Sequence, residues 1–85
     1  MIFTDRVHLV SDKLGRAGKA ELRAFAEKIG LARCWYRRGH YDLPGYGRML
    51  QAALAAGAQI TSRRECARYR RRTMTGVEWH LQRIL

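Results

Sequence analysis

A small α/β domain with a three-stranded, mostly parallel sheet and three to four helices is the fold class predicted by this sequence, on three observations. The hydrophobic spacing switches between a strand-like and a helix-like period in the order strand, helix, strand, helix, strand, helix. Glycines and capping residues punctuate the switches, as connections between short elements require. At 85 residues the chain has room for one core, and at 47% hydrophobic it is too apolar for the disordered class despite a net charge of +10.

The elements follow in order. Ile2-Phe3-Thr4 is a short β-prone run ended by Asp5, and Val7 to Val10, with His8 among apolar neighbours, either extends or re-enters that strand. Ser11-Asp12, Gly15 and Gly18 mark a loop. From Lys19 the period becomes helical: Leu22, Phe25, Ala26 and Ile29 fall at i, i+3, i+4 and i+7, and Gly30 supplies a left-handed stop. Leu31 to Tyr36, carrying Cys34 and Trp35, reads as the second strand, and residues 37–45 as a turn. Met49, Leu50, Ala53 and Leu54 form a second helical stripe closed by Gly57, and residues 58–61 form the third strand. Ser62 stands three residues before Glu65, a capping-box spacing that starts a helix through about Arg72. Thr75 before Glu78 repeats it, for a last helix with Val77, Leu81 and Ile84 inward. Residues 1–85 thus read as one domain, with 62–85 a basic C-terminal helical segment packed on it.

Seventeen Lys and Arg oppose seven Asp and Glu, and fourteen of those cations are arginine, whose planar fork matches phosphate and carboxylate. Charge of this size points to a polyanionic partner, such as nucleic acid, an acidic protein surface or anionic lipid, and does not choose among them. No basic segment precedes a long apolar run at the start and no apolar stretch approaches ~20 residues, so a cytoplasmic protein without a transmembrane segment is expected. Cys34 and Cys66 lack metal-ligand spacing and read as buried, reduced thiols, with Cys34 mid-strand and out of reach as a nucleophile. Neither a Gly-x-Ser-x-Gly nor a phosphate-loop pattern is present.

Two constellations carry chemistry. Arg63, Arg64, Arg68, Arg70, Arg71 and Arg72 crowd six guanidiniums into ten positions opposed only by Glu65. At ~100° per residue Arg64, Arg68, Arg71 and Arg72 share a helix face, where like charges repel unless a polyanion neutralises them. Tyr69 among them either stacks on a base or packs inward, with inward packing favoured. The second constellation is Asp5, His8, Asp12, His40 and Asp42, residue types that suit a divalent ion. No pair has the His-Glu-x-x-His spacing, and a turn in which Asp42 accepts backbone N–H groups explains His40-Tyr41-Asp42 equally well. In a parallel sheet the carboxyl strand ends form the ligand-facing edge, which makes Asp5, His40, Asp42 and Ser62 the candidate strand-end site.

Ile2 to Asp5, His8 with Asp12, the block Glu21 to Tyr36, His40-Tyr41-Asp42 and Ala55 to Ala58 resemble the small bacterial and phage proteins of domain of unknown function 4031, over roughly residues 1–66. The Ile-Gly-Leu-x-Arg-x-Trp-aromatic stretch and the His-Tyr-Asp triplet carry most of it. The family has longer segments before His-Leu and before His-Tyr-Asp, so the resemblance implies a smaller groove here. It implies no activity.

The sequence therefore reads as a basic binding module, leaning away from an enzyme, that engages phosphate-bearing ligands, nucleic acid foremost, through Arg37, Arg38, Arg63, Arg64, Arg68, Arg71 and Arg72. Asp5, His40 and Asp42 are expected to lie together and to hold their loops by hydrogen bonds beside an arginine-lined recess, with no metal and no cofactor. A protein that docks on an acidic protein face and a metal-dependent phosphodiesterase are the alternatives.

Overall fold

The computed structural model describes residues 1–45 and 47–74. Its class is α/β, but the sheet is five-stranded and mixed, not three-stranded and mostly parallel, because two tight hairpins add antiparallel strands to those joined through helices. The first joins β1 (Ile2–Thr4) to β2 (His8–Ser11), antiparallel with Phe3 opposite Val10 and Thr4 opposite Leu9. Of the two possibilities for residues 7–10, re-entry is the one realised. Asp5 makes the turn: its Oδ1 accepts from the backbone N–H of Val7 at 3.0 Å and of His8 at 2.7 Å, while Arg6 takes φ 83°.

Helix α1 (Gly15–Lys28) starts four residues earlier than its apolar spacing indicates and buries Leu22 and Ala26. It ends at Gly30, φ 78°, where Gly30 N–H donates to the Glu27 carbonyl and Leu31 N–H to the Ala26 carbonyl at 2.8 Å. Such a Schellman ending turns the chain sharply and seats Leu31 in the core beside Ala26. That geometry overturns the strand expected over Leu31–Tyr36. Arg33–Trp35 forms a single 3₁₀ turn on the surface, and both Cys34 and Trp35 are exposed.

Only Tyr36–Arg37 (β3) pairs, with β4 (His40–Asp42) across Arg38-Gly39. Both turn residues have positive φ, 40° and 87°, the type I′ geometry that suits strand twist. The segment expected to be a plain turn is therefore the second hairpin. Helix α2 (Arg48–Ala55) leads to β5 (Gln59–Ile60), which runs parallel to β1 at the sheet edge. The strand order is β3-β4-β2-β1-β5.

Helix α3 (Arg63–Thr73) begins as its capping signal requires, with Ser62 Oγ accepting from Glu65 N–H at 3.1 Å. The helix expected from Thr75, with the remainder of the 62–85 segment, lies outside the described residues.

Alternation along the strands sorts side chains onto two faces. Ile2, Leu9 and Tyr41 meet Leu22, Ala26 and Ala53, so α1 and α2 cover one face. Phe3, His8, Val10 and His40 point the other way, toward α3, where the Phe3 and Tyr69 rings stack with centroids 5.2 Å apart. Tyr69 thus packs inward. The Thr73 hydroxyl fixes the far end of α3, 3.1 Å from the Lys13 carbonyl and 3.3 Å from that of Ser11. Both thiols are free; Cys66 is buried beneath α3.

Candidate functional site

At one end of the sheet the first turn, the start of β2, the end of β4 and the first two turns of α3 come together. The register that sets His8 opposite Asp42 brings the two hairpins into contact there. The Asp5 carboxylate is deeply placed, with its side chain only 3% exposed. One oxygen closes the turn, and the other lies 2.9 Å from His8 Nδ1. A carboxylate there holds the proton on Nδ1 and leaves the Nε2 lone pair of a neutral His8 outward.

That Nε2 lies 3.9 Å from Asp42 Oδ1, and His40 Nε2 lies 3.2 Å from the same oxygen. The two imidazoles meet edge to face at 4.9 Å. Asp42 also holds Arg37, whose Nε is 3.1 Å from Oδ2. One ligand atom from each of His8, His40 and Asp42 can be chosen so that all lie within 4.8 Å of one another.

Beside this cluster is a recess of about 170 Å³ lined by Asp5, His8, His40, Arg63, Cys66 and Arg70, with Val10 and Ala67 completing its wall. His40 is 7% exposed, and its Nδ1 has no hydrogen-bond partner among the described residues; nor has the buried Nε of Arg70. Two unsatisfied polar atoms on residues that line one cavity are unusual, since buried polar groups are almost always paired.

The electrostatics follow from packing. Burial lowers the His40 pKa, and the neighbouring His8 and Arg70 reinforce that against the opposing Asp42, so neutral imidazole is favoured at pH 7. Asp5 is held below the usual carboxylate range: burial works to raise it, but hydrogen bonds from His8 and the turn outweigh that. Burial, with the Asp5 charge adding to it, pushes the Cys66 thiol up to about 12, so this wall of the recess presents a neutral S–H and no thiolate.

Of the strand-end residues, His40 and Asp42 meet directly, Asp5 joins them through His8, and Ser62 is occupied as the N-cap of α3. Asp12 lies apart, bonded to the Met1 amine. Of the arginines, Arg63, Arg64, Arg68, Arg71 and Arg72 are exposed along α3, whereas Arg37 is held by Asp42 and Arg38 forms the second hairpin turn. His8 and Arg70 were not among the strand-end and phosphate-binding residues read from the sequence. His8 opens an antiparallel strand and so escapes a rule about carboxyl strand ends. Arg70 belongs to the inward stripe Cys66, Tyr69, Arg70 and Thr73, spaced three and four apart, and that stripe is the signal that could have found it.

No curated protein and no solved structure matches this chain. Among the described residues no helix is long and apolar enough to cross a membrane. The family model for proteins of unknown function DUF4031 matches residues 4–73, from the strand before Asp5 to the Thr73 anchor of α3, and the chain belongs to that family.

Proposed function

We propose that the protein is a binding module for phosphate-bearing polyanions, with nucleic acid as its principal partner and the outer face of α3 as the contact surface. One observation carries this reading: Arg63, Arg64, Arg68, Arg71 and Arg72 stand exposed along one eleven-residue helix, and among the described residues only Arg68 has a carboxylate partner, Glu65 at 2.7 Å. An exposed pair of that kind contributes little, so the local field is almost undiluted. Unpaired like charges three and four residues apart cost helix stability, and a row of phosphates removes that cost. Arginine rather than lysine at these positions suits bidentate contact with phosphate oxygens.

Counterion release supplies the test. Affinity for a generic duplex or single strand should fall linearly on a log–log salt plot with a slope of several units. Replacing Arg64, Arg71 and Arg72 by Gln should weaken binding and reduce that slope by roughly one unit for each phosphate no longer neutralised. Absence of binding at low salt, with an acidic protein co-purifying and released by a salt wash, would transfer the same surface to a protein partner.

A further inference from the structure

We infer that His8, His40 and Asp42 form a binding site for a divalent transition-metal ion, of which Zn²⁺ is the natural probe, with Asp5 as the carboxylate that orients His8. The inference does not rest on the nucleic-acid reading: of its arginines on α3 only Arg63 borders the recess, and Arg64, Arg68, Arg71 and Arg72 lie outside it.

The donor set is the first support. Two imidazole nitrogens and one carboxylate oxygen make the three-ligand set of open zinc sites, in which remaining positions are left to water or an exogenous ligand. Both Nε2 atoms face Asp42 Oδ1, at 3.9 and 3.2 Å. Donors ~2.0–2.2 Å from a common tetrahedral ion lie a little over 3 Å apart, so the His40–Asp42 separation already fits, and His8, with the three donors within 4.8 Å of one another, has to draw in toward the other two.

The second support is the surroundings of His8. Metal-ligating histidines donate their other N–H to a carboxylate, and Asp5 Oδ2 stands 2.9 Å from His8 Nδ1. Asp5 is itself immobilised by two backbone N–H groups, so the imidazole is aimed before any ion arrives. A surface histidine that merely met an acid would need no such buried, triply bonded partner.

The recess is the third support. His8 and His40 line it together with Arg63 and Arg70, so the exogenous ligand the ion would take is an oxyanion, of which phosphate is the simplest. Cys66 lines the recess but is not one of the residues whose ligand atoms cluster, so the donor set is N₂O.

Calorimetric titration of Zn²⁺ into the metal-free full chain tests the assignment. One ion per chain at micromolar affinity is expected, together with a rise in melting temperature on Zn²⁺ addition. His8→Gln and Asp42→Asn should each weaken binding at least tenfold, and Asp5→Asn by about 10–100-fold through His8 alone. The Co²⁺-loaded protein should show visible d–d bands without sulfur-to-metal charge transfer. No saturable binding by the wild-type chain, or unchanged affinity in folded His8→Gln and Asp42→Asn, overturns the site; a sulfur band would move the ion to a cysteine. These readouts use no nucleic acid, so they stand or fall separately from the salt titration.

Discussion

Asp5 shows how one side chain can fix both a turn and a site. Its carboxylate accepts the N–H groups of Val7 and His8 and orients the His8 ring, all from a side chain almost entirely removed from water. Asp5→Ala leaves those donors without partners and should destabilise the protein by about 1–3 kcal/mol, measurable by urea denaturation. Glu21 plays a comparable part at the opposite end of the sheet, accepting from Ser11 Oγ at 2.7 Å, from the Met1 amine at 2.8 Å and from Lys13 Nζ at 3.1 Å. Partial burial works to raise its pKa, but these donors outweigh it and bring the folded value down to about 2 from 4.5. A depressed carboxylate stabilises the fold above its unfolded pKa and ceases to as pH falls through the folded one. Stability should therefore decline between about pH 4.5 and 2, and Glu21→Gln should flatten that part of a pH–denaturation profile.

Among the elements, the β3–β4 hairpin and α3 depend on one another at Gly39. Its φ of 87° already disfavours a side chain, and an added Cβ would collide with the Arg70 carbonyl and lie 3.0 Å from Met74 Cγ. Gly39→Ala should cost at least about 1–3 kcal/mol in thermal denaturation. It should also displace Arg70 from the recess, because relief of the contact requires α3 to move. The exposed arginines of the same helix predict the opposite sign. Arg64, Arg71 and Arg72 replaced together by Gln should leave melting temperature equal or higher while weakening nucleic-acid binding, since intrahelical repulsion is removed. A loss of fold in that variant would make these arginines structural partners of the helix.

For the whole molecule, the sheet is covered unequally. One face carries the apolar core, in which Leu9, Leu22, Ala26 and Ala53 are wholly buried, and the other carries the histidines and α3. Stability therefore resides mainly on the α1 side, and the chemistry can occupy the α3 side with polar groups. Leu22→Ala should cost about 2–5 kcal/mol by urea denaturation, a large share of the ~5–15 kcal/mol available to a small domain. Phe25 only borders the core, so Phe25→Ala should fall at or below the lower end of that range.

Local signals determined the helices: the apolar spacing of Leu22, Phe25, Ala26 and Ile29, the glycine stops at Gly30 and Gly57, and the Ser62 cap each act within one or two turns of chain. The outward arginine face of α3 was legible for the same reason. Strand partners were not. A run of three residues such as Ile2-Phe3-Thr4 carries no information about which strand lies beside it, so β1 and β2 could be taken for parts of a parallel sheet although they close as a hairpin. Leu31–Tyr36 has strand composition, yet the Schellman turn at Gly30 commits Leu31 to the core and leaves only two residues to pair. The site followed the same division. Asp5, His40 and Asp42 could be singled out by type and position, but the pairing of β2 with β4, which sets His8 opposite Asp42, decided that two imidazoles and a carboxylate share one point. Arg70 reaches the recess only because α3 packs across the sheet face bearing His8 and His40, a contact fixed by the Phe3–Tyr69 stack and the Thr73 anchor, both far apart in sequence.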